Sequence, residues 1–103
     1  MGLNFARPGS HDVMITYERQ NVDFSMYERL KHKLEVEVAP ITVLGVSVDT
    51  PGTFEVKSML SGRVFHSRAR GDPDEAMWTI VDAVALDYYK HKVQKERANR
   101  PGP

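Results

Sequence analysis

Cysteine is absent from this chain of 103 residues. That absence excludes a disulfide framework, thiolate zinc sites, a cysteine nucleophile and dithiol redox chemistry. Net charge is absent too, because 14 Lys and Arg balance 14 Asp and Glu. A neutral chain has no bulk field to hold nucleic acid or an anionic membrane unless its charge is segregated. No apolar run approaches the ~18 residues that would cross a bilayer. What is present is ordinary for a globular domain, with 41% hydrophobic and 27% charged residues. The length suits one domain and one modest core.

Neither end reads as part of that core. Residues 1–11 read as an N-terminal arm closed by Pro8-Gly9-Ser10, with Leu3 and Phe5 as candidate anchors. Gly2 satisfies one requirement for myristoylation, but Ala6 stands where Ser or Thr is needed. No secretory h-region follows, so the expected location is intracellular, cytoplasmic or mitochondrial. Residues 12–96 read as the domain and residues 97–103 as a C-terminal tail ending Pro101-Gly102-Pro103.

Between the arms the hydrophobic period changes several times. His11–Tyr17 carries apolar residues on both faces, which predicts a central strand. Phe24, Tyr27, Leu30 or Lys31, and Leu34 then recur at helical spacing, with Asn21 as the expected N-cap and Asp23 in the first turn. Ala39-Pro40 ends that helix. Ile41–Val48 is β-branched and reads as a second buried strand, with Gly45 as a candidate bulge. Asp49-Thr50-Pro51-Gly52 is a turn, and Thr53–Met59 and Arg63–Arg68 form a hairpin about Ser61-Gly62. Asp72-Pro73-Asp74-Glu75 then opens a last helix, with Asp72 as its expected N-cap and Met77, Ile80, Val81, Val84, Ala85 and Tyr88 as its apolar stripe.

Strand, helix, three strands and helix in that order predict an α+β domain with two helices packed on a small mixed sheet. This β-α-β-β-β-α pattern is thioredoxin-like. Three segments sharpen the comparison: Ile15-Thr16-Tyr17-Glu18-Arg19-Gln20-Asn21, Pro51-Gly52-Thr53-Phe54-Glu55-Val56, and Gly62 through Asp72. In order and spacing they resemble the strand and active-site loop, the Phe-Glu-Val segment and the hairpin return of the Rdx family, which contains selenoprotein W. The resemblance covers about residues 13–88.

The chain departs from that family at its chemistry. The resemblance places the two redox positions, normally C-x-x-C or C-x-x-U, on Glu18 and Asn21. Neither can form a mixed disulfide or a selenenyl sulfide, so the expected domain is redox-inactive and not an enzyme. Glu18 is expected to pair with Arg19 or the helix amides, and Asn21 to cap the helix.

Other patterns are weaker. The four histidines, His11, His32, His66 and His91, lie on four different elements with no metal-ligand spacing, so no metal and no cofactor are expected. Phosphate-cradling loops and hydrolase elbows are absent. Arg70-Gly71-Asp72 precedes a helix in a chain without a secretory signal and reads as chance. Trp78 and Tyr89 are candidate contact aromatics on the last helix. Lys90, Lys92, Lys95, Arg97 and Arg100 against Glu96 give the end of the chain a charge of +4, balanced by −4 elsewhere.

Together these features point away from chemistry and toward contact. The expected role is an accessory or structural subunit that meets protein partners in a multi-subunit assembly. A thioredoxin-like binding module, holding a peptide or small thiol ligand beside Glu18–Asn21, is the alternative. A nucleic-acid contact through the basic tail is a further one, with little aromatic interleaving to support single-strand stacking.

Overall fold

Alternation along Val13–Glu18 sends Val13, Ile15 and Tyr17 inward and leaves Met14 and Thr16 half-buried. In the computed structural model, which describes residues 11–94, this segment is strand β1. The leading arm up to residue 10, the tail 97–103, and with them Leu3, Phe5, Lys95, Arg97 and Arg100, lie outside the described residues. Helix α1 follows over Asn21–Glu37, then β2 (Val43–Val48), β3 (Phe54–Ser58) and β4 (Val64–Ser67). A 3-10 segment at Asp74–Thr79 leads into α2 (Val81–Tyr88) and a π-helical turn at Tyr89–Val93.

The four strands form one mixed sheet in the order β2-β1-β3-β4. β1 is parallel to β2, with Val13 beside Val43 and Glu18 beside Val48. It is antiparallel to β3, with Tyr17 opposite Phe54. The two-faced apolar pattern of β1 thus corresponds to an inner strand, although among the described residues the core packs on one of its faces. Leu30 and Leu34 of α1, Met77 and Ile80 of the 3-10 segment, and Val84 of α2 join the inward residues of β1 and β3 in one core. Met14, Leu44, Val46 and Val48 on the other face are half-buried and outside that core. The chain is therefore an α+β domain with its helices gathered on one side of the sheet.

Several local expectations are corrected. Gln20, not Asn21, is the N-cap of α1; its backbone is extended (φ −154°), and no side chain bonds the first amides. Phe24 leaves the buried face and is 44% exposed, while Asp23 is buried in the first turn. The reason is Arg68, whose guanidinium donates to both oxygens of Asp23 at 3.1 and 3.2 Å and so makes a buried carboxylate tolerable.

Gly45 lies in regular register rather than in a bulge, beneath the ring of Tyr27, where a β-carbon would collide with the ring carbons. The register shift occurs instead between Val56 and Lys57, opposite β4. Asp72 does not cap a helix. Its carboxylate turns back to the Ser67 amide at 3.0 Å and to the Arg70 guanidinium at 2.6 Å, closing a turn in which Gly71 takes φ +100°. The single last helix is divided, and its first part is 3-10. There the Thr79 hydroxyl bonds back to the Ala76 carbonyl at 2.8 Å, competing with the α-helical ladder.

Candidate functional site

The loop between β1 and α1 carries the two positions the family resemblance singles out, and backbone geometry gives it a firm shape. The Arg19 amide donates to the Val48 carbonyl and the Gln20 amide to the Glu18 carbonyl, each at 2.8 Å. Glu18 does not pair with Arg19. Its Oε1 accepts from Gln20 Nε2 and from the Gly52 amide, both at 2.8 Å, tying the loop to the turn before β3. Gly52 sits there at φ +76°, a left-handed conformation that side chains resist. Arg19 instead reaches Asp49 across an exposed 3.7 Å, a contact worth little in water.

An aromatic wall rises beside the loop. Tyr17 and Tyr27 stack with centroids 4.7 Å apart and planes 12° apart. Phe24 is tilted against both at 6.0 Å. The stack is possible because Gly45 offers no side chain beneath Tyr27. Burial pushes the Tyr27 phenol above its ordinary pKa, against a smaller opposing pull from Lys31, so it is a neutral hydrogen-bonding group at physiological pH.

Two open grooves flank this wall. One of about 280 Å³ is lined by Tyr17, Arg19, Gln20, Asn21, Phe24 and Ser47. The other, of about 410 Å³, runs along α1 past Tyr27, Glu28, Lys31, His32 and Glu35. Apolar rings with adjacent amide, hydroxyl and guanidinium groups can hold an extended peptide or a small organic ligand. No thiol stands at the site, and Glu18 is already engaged by two donors. Among the described residues no group of three His, Asp or Glu is arranged to hold a metal ion.

Three buried aspartates, none singled out as buried by sequence pattern, tether elements of the fold, and the first of them stands in the first turn of α1 beside this site. Asp23 joins α1 to Arg68, which also grips Asp74 at 3.1 Å and lies 5.6 Å from the Phe54 ring. These two carboxylates hold the Arg68 guanidinium charged well beyond its ordinary pKa. Asp12 accepts from the Thr42 amide and from Lys92 Nζ, each at 2.9 Å. Asp87 accepts from the Ser58 and Ser61 hydroxyls, each at 2.5 Å. The sequence signal for these roles is faint, since Asp is commoner at surfaces and each partner is far away along the chain.

The remaining candidates are scattered. Trp78 is half-buried against the core, with the Arg29 guanidinium 5.3 Å from its ring centroid. Tyr89 is 47% exposed on the π-helical turn. Lys90 borders a separate groove of about 480 Å³ with Ser61, Arg63, Leu86, Asp87 and His91. Lys92 folds back onto Asp12 rather than extending as a free cation. Among the described residues, Trp78, Lys90 and Lys92 therefore do not gather beside the β1–α1 loop.

No helix among the described residues is long and apolar enough to cross a membrane. Compared with protein-family models and with curated proteins, the chain matches no family model and no curated protein.

Proposed function

We propose that this chain is a redox-inactive contact domain, an Rdx-like scaffold that binds protein as an accessory or structural subunit of a larger assembly. The observation that carries this reading is the sheet face that, among the described residues, lies opposite the core. Met14, Leu44, Val46 and Val48, all half-buried, form an apolar strip on the face opposite the core of the described residues. A face of that kind on a small domain is characteristic of protein contact. The sheet order β2-β1-β3-β4, with a parallel β1–β2 pair and an antiparallel hairpin, supports the thioredoxin-like reading. With no cysteine to oxidise, the scaffold keeps its shape and leaves thiol chemistry aside. An intracellular setting, cytoplasmic or mitochondrial, belongs to the same proposal.

Native purification of the tagged chain, with photo-cross-linkers placed at Leu44 and at exposed Glu75, tests the reading. The expected result is a stoichiometric protein partner that cross-links from Leu44 and not from Glu75. Recovery as a free chain, or cross-linking from both positions alike, overturns it.

The aromatic groove favours a second reading, a binding module for a peptide or small thiol ligand beside Glu18–Asn21. Its mark is binding that Phe24→Ala abolishes and Val46→Lys leaves intact. Contact with nucleic acid through the basic end has less support, because Lys92 is held by Asp12.

A further inference from the structure

The two edges of the sheet are built differently. β4 is four residues long, lies across from the register shift at Val56 and Lys57, and is flanked by Arg63 and Arg68. Short length, irregular register and cations are means by which an edge is kept from pairing with another chain. β2 has none of them. It runs six residues in unbroken register with β1 and contains no proline and no charged residue.

Hydrogen bonds at its two ends fix where its peptide groups point. The Thr42 carbonyl accepts the Asp12 and Val13 amides, and the Val48 carbonyl accepts the Arg19 amide. Even-numbered residues of β2 therefore turn their peptide groups toward β1, and odd-numbered residues turn theirs outward. The outward Val43 amide is met by Glu35 Oε2 at 3.0 Å. That leaves the N–H and C=O groups of Gly45 and Ser47 directed away from the sheet, with no strand beside them among the described residues.

We propose that a second copy of this chain occupies this edge, β2 against β2, antiparallel about a two-fold axis at Val46. Gly45 then lies opposite Ser47 of the second copy, and every outward N–H of these residues meets an outward C=O. Of the neighbouring in-phase registers, Gly45 opposite itself sets Ser47 against Val43, whose amide Glu35 already holds, and Ser47 opposite itself sets Gly45 against Asp49, beyond the end of β2.

In the proposed register Leu44 faces Val48 across the axis and Val46 faces its own counterpart. The two apolar strips become one, and like residues meet in the self-complementary way a two-fold interface requires. β2 itself carries no charge, and Asp49, which this register sets opposite Val43, lies beyond the strand with its side chain exposed. This self-complementarity favours a second copy over a foreign strand, which could use the same edge by strand addition. The inference rests on the reading of the chain as a contact domain and gives one of its contacts a partner.

Sedimentation and light scattering of the full chain over a concentration series test it. The expected mass is twice 11.7 kDa at high concentration. Ser47→Pro removes one outward amide without touching the ladder to β1, and Val46→Lys places like charges at the axis. Both are expected to return the single-chain mass with unchanged circular dichroism, and with the parent's melting temperature at concentrations low enough for the parent also to be a single chain. Because the chain has no cysteine of its own, Val46→Cys supplies a clean cross-link. Mild oxidation is expected to join two copies through position 46 but not through Glu75→Cys.

A single-chain mass at every concentration overturns the proposal, as does a dimer that both variants leave intact. Protection of the Gly45 and Ser47 amides only when another protein is bound also refutes the second copy, and keeps the contact reading. A dimer recovered from its source with no other chain has the opposite consequence.

Discussion

Acidification should destabilise this protein through one side chain in particular. His66, on β4, is 1% exposed and stands edge-on to Phe54 at 6.2 Å. Its Nε2 has no hydrogen-bond partner among the described residues. Burial lowers its pKa; Asp72 and Asp74 oppose that shift, and Arg68 and Arg70 add to it. The folded protein therefore holds His66 neutral at a pH where an unfolded histidine, with a pKa of about 6.5, begins to take up a proton.

Between that value and the folded pKa the unfolded chain binds the extra proton. The contribution of His66 to stability is thus fully present above about pH 6.5 and is lost below it, by at most about 1.4 kcal/mol for each pH unit, until the folded pKa is reached. His66→Phe removes both the titration and the unpaired nitrogen, whose burial costs about 1–3 kcal/mol. Urea unfolding of both proteins at a series of pH values gives the difference directly, and contributions shared by the two chains cancel. The gap between variant and parent is expected to widen in the variant's favour as pH falls below about 6.5, until the folded pKa is reached. Parallel profiles over that interval would refute the reasoning, because they would mean that His66 takes up its proton as readily folded as unfolded.

Other side chains give sharper single measurements. Arg68→Ala strands the buried Asp23 carboxylate and should lower the urea-derived unfolding free energy by about 3 kcal/mol, whereas Asp23→Leu together with Arg68→Met should restore much of the loss. Gly45→Ala drives a methyl group into the Tyr27 ring and should cost about 1–3 kcal/mol in the same assay, with Tyr27→Leu in the same chain recovering stability by opening the space. Asp87→Ala leaves Ser58 and Ser61 without their shared acceptor. It should lower the thermal midpoint by a loss of about 1–3 kcal/mol, and hydrogen exchange should quicken first at the Leu60 and Ser61 amides that Ser58 Oγ holds.

Sequence periodicity by itself determined the α+β class, the small mixed sheet and the inner place of β1, because alternation of two and recurrence near 3.6 are local consequences of backbone geometry. It also located the turns at Gly52 and Gly62, where small residues mark positive φ. The absence of cysteine, and with it of thiol chemistry, needs no structure at all.

Only tertiary structure decided the roles of the charged and small residues. Asp72 has the spacing of a helix cap, yet it bonds Ser67 and Arg70, since an acceptor serves whichever donors the fold brings near. Asp23 has the spacing of a dipole residue, yet it is the buried anchor of Arg68, which lies 45 positions away in the chain. Gly45 has the appearance of a bulge and is the floor of an aromatic stack. Which sheet face the helices leave bare, and which edge lacks protection, follow from packing among distant segments. Periodicity within one segment carries no record of either.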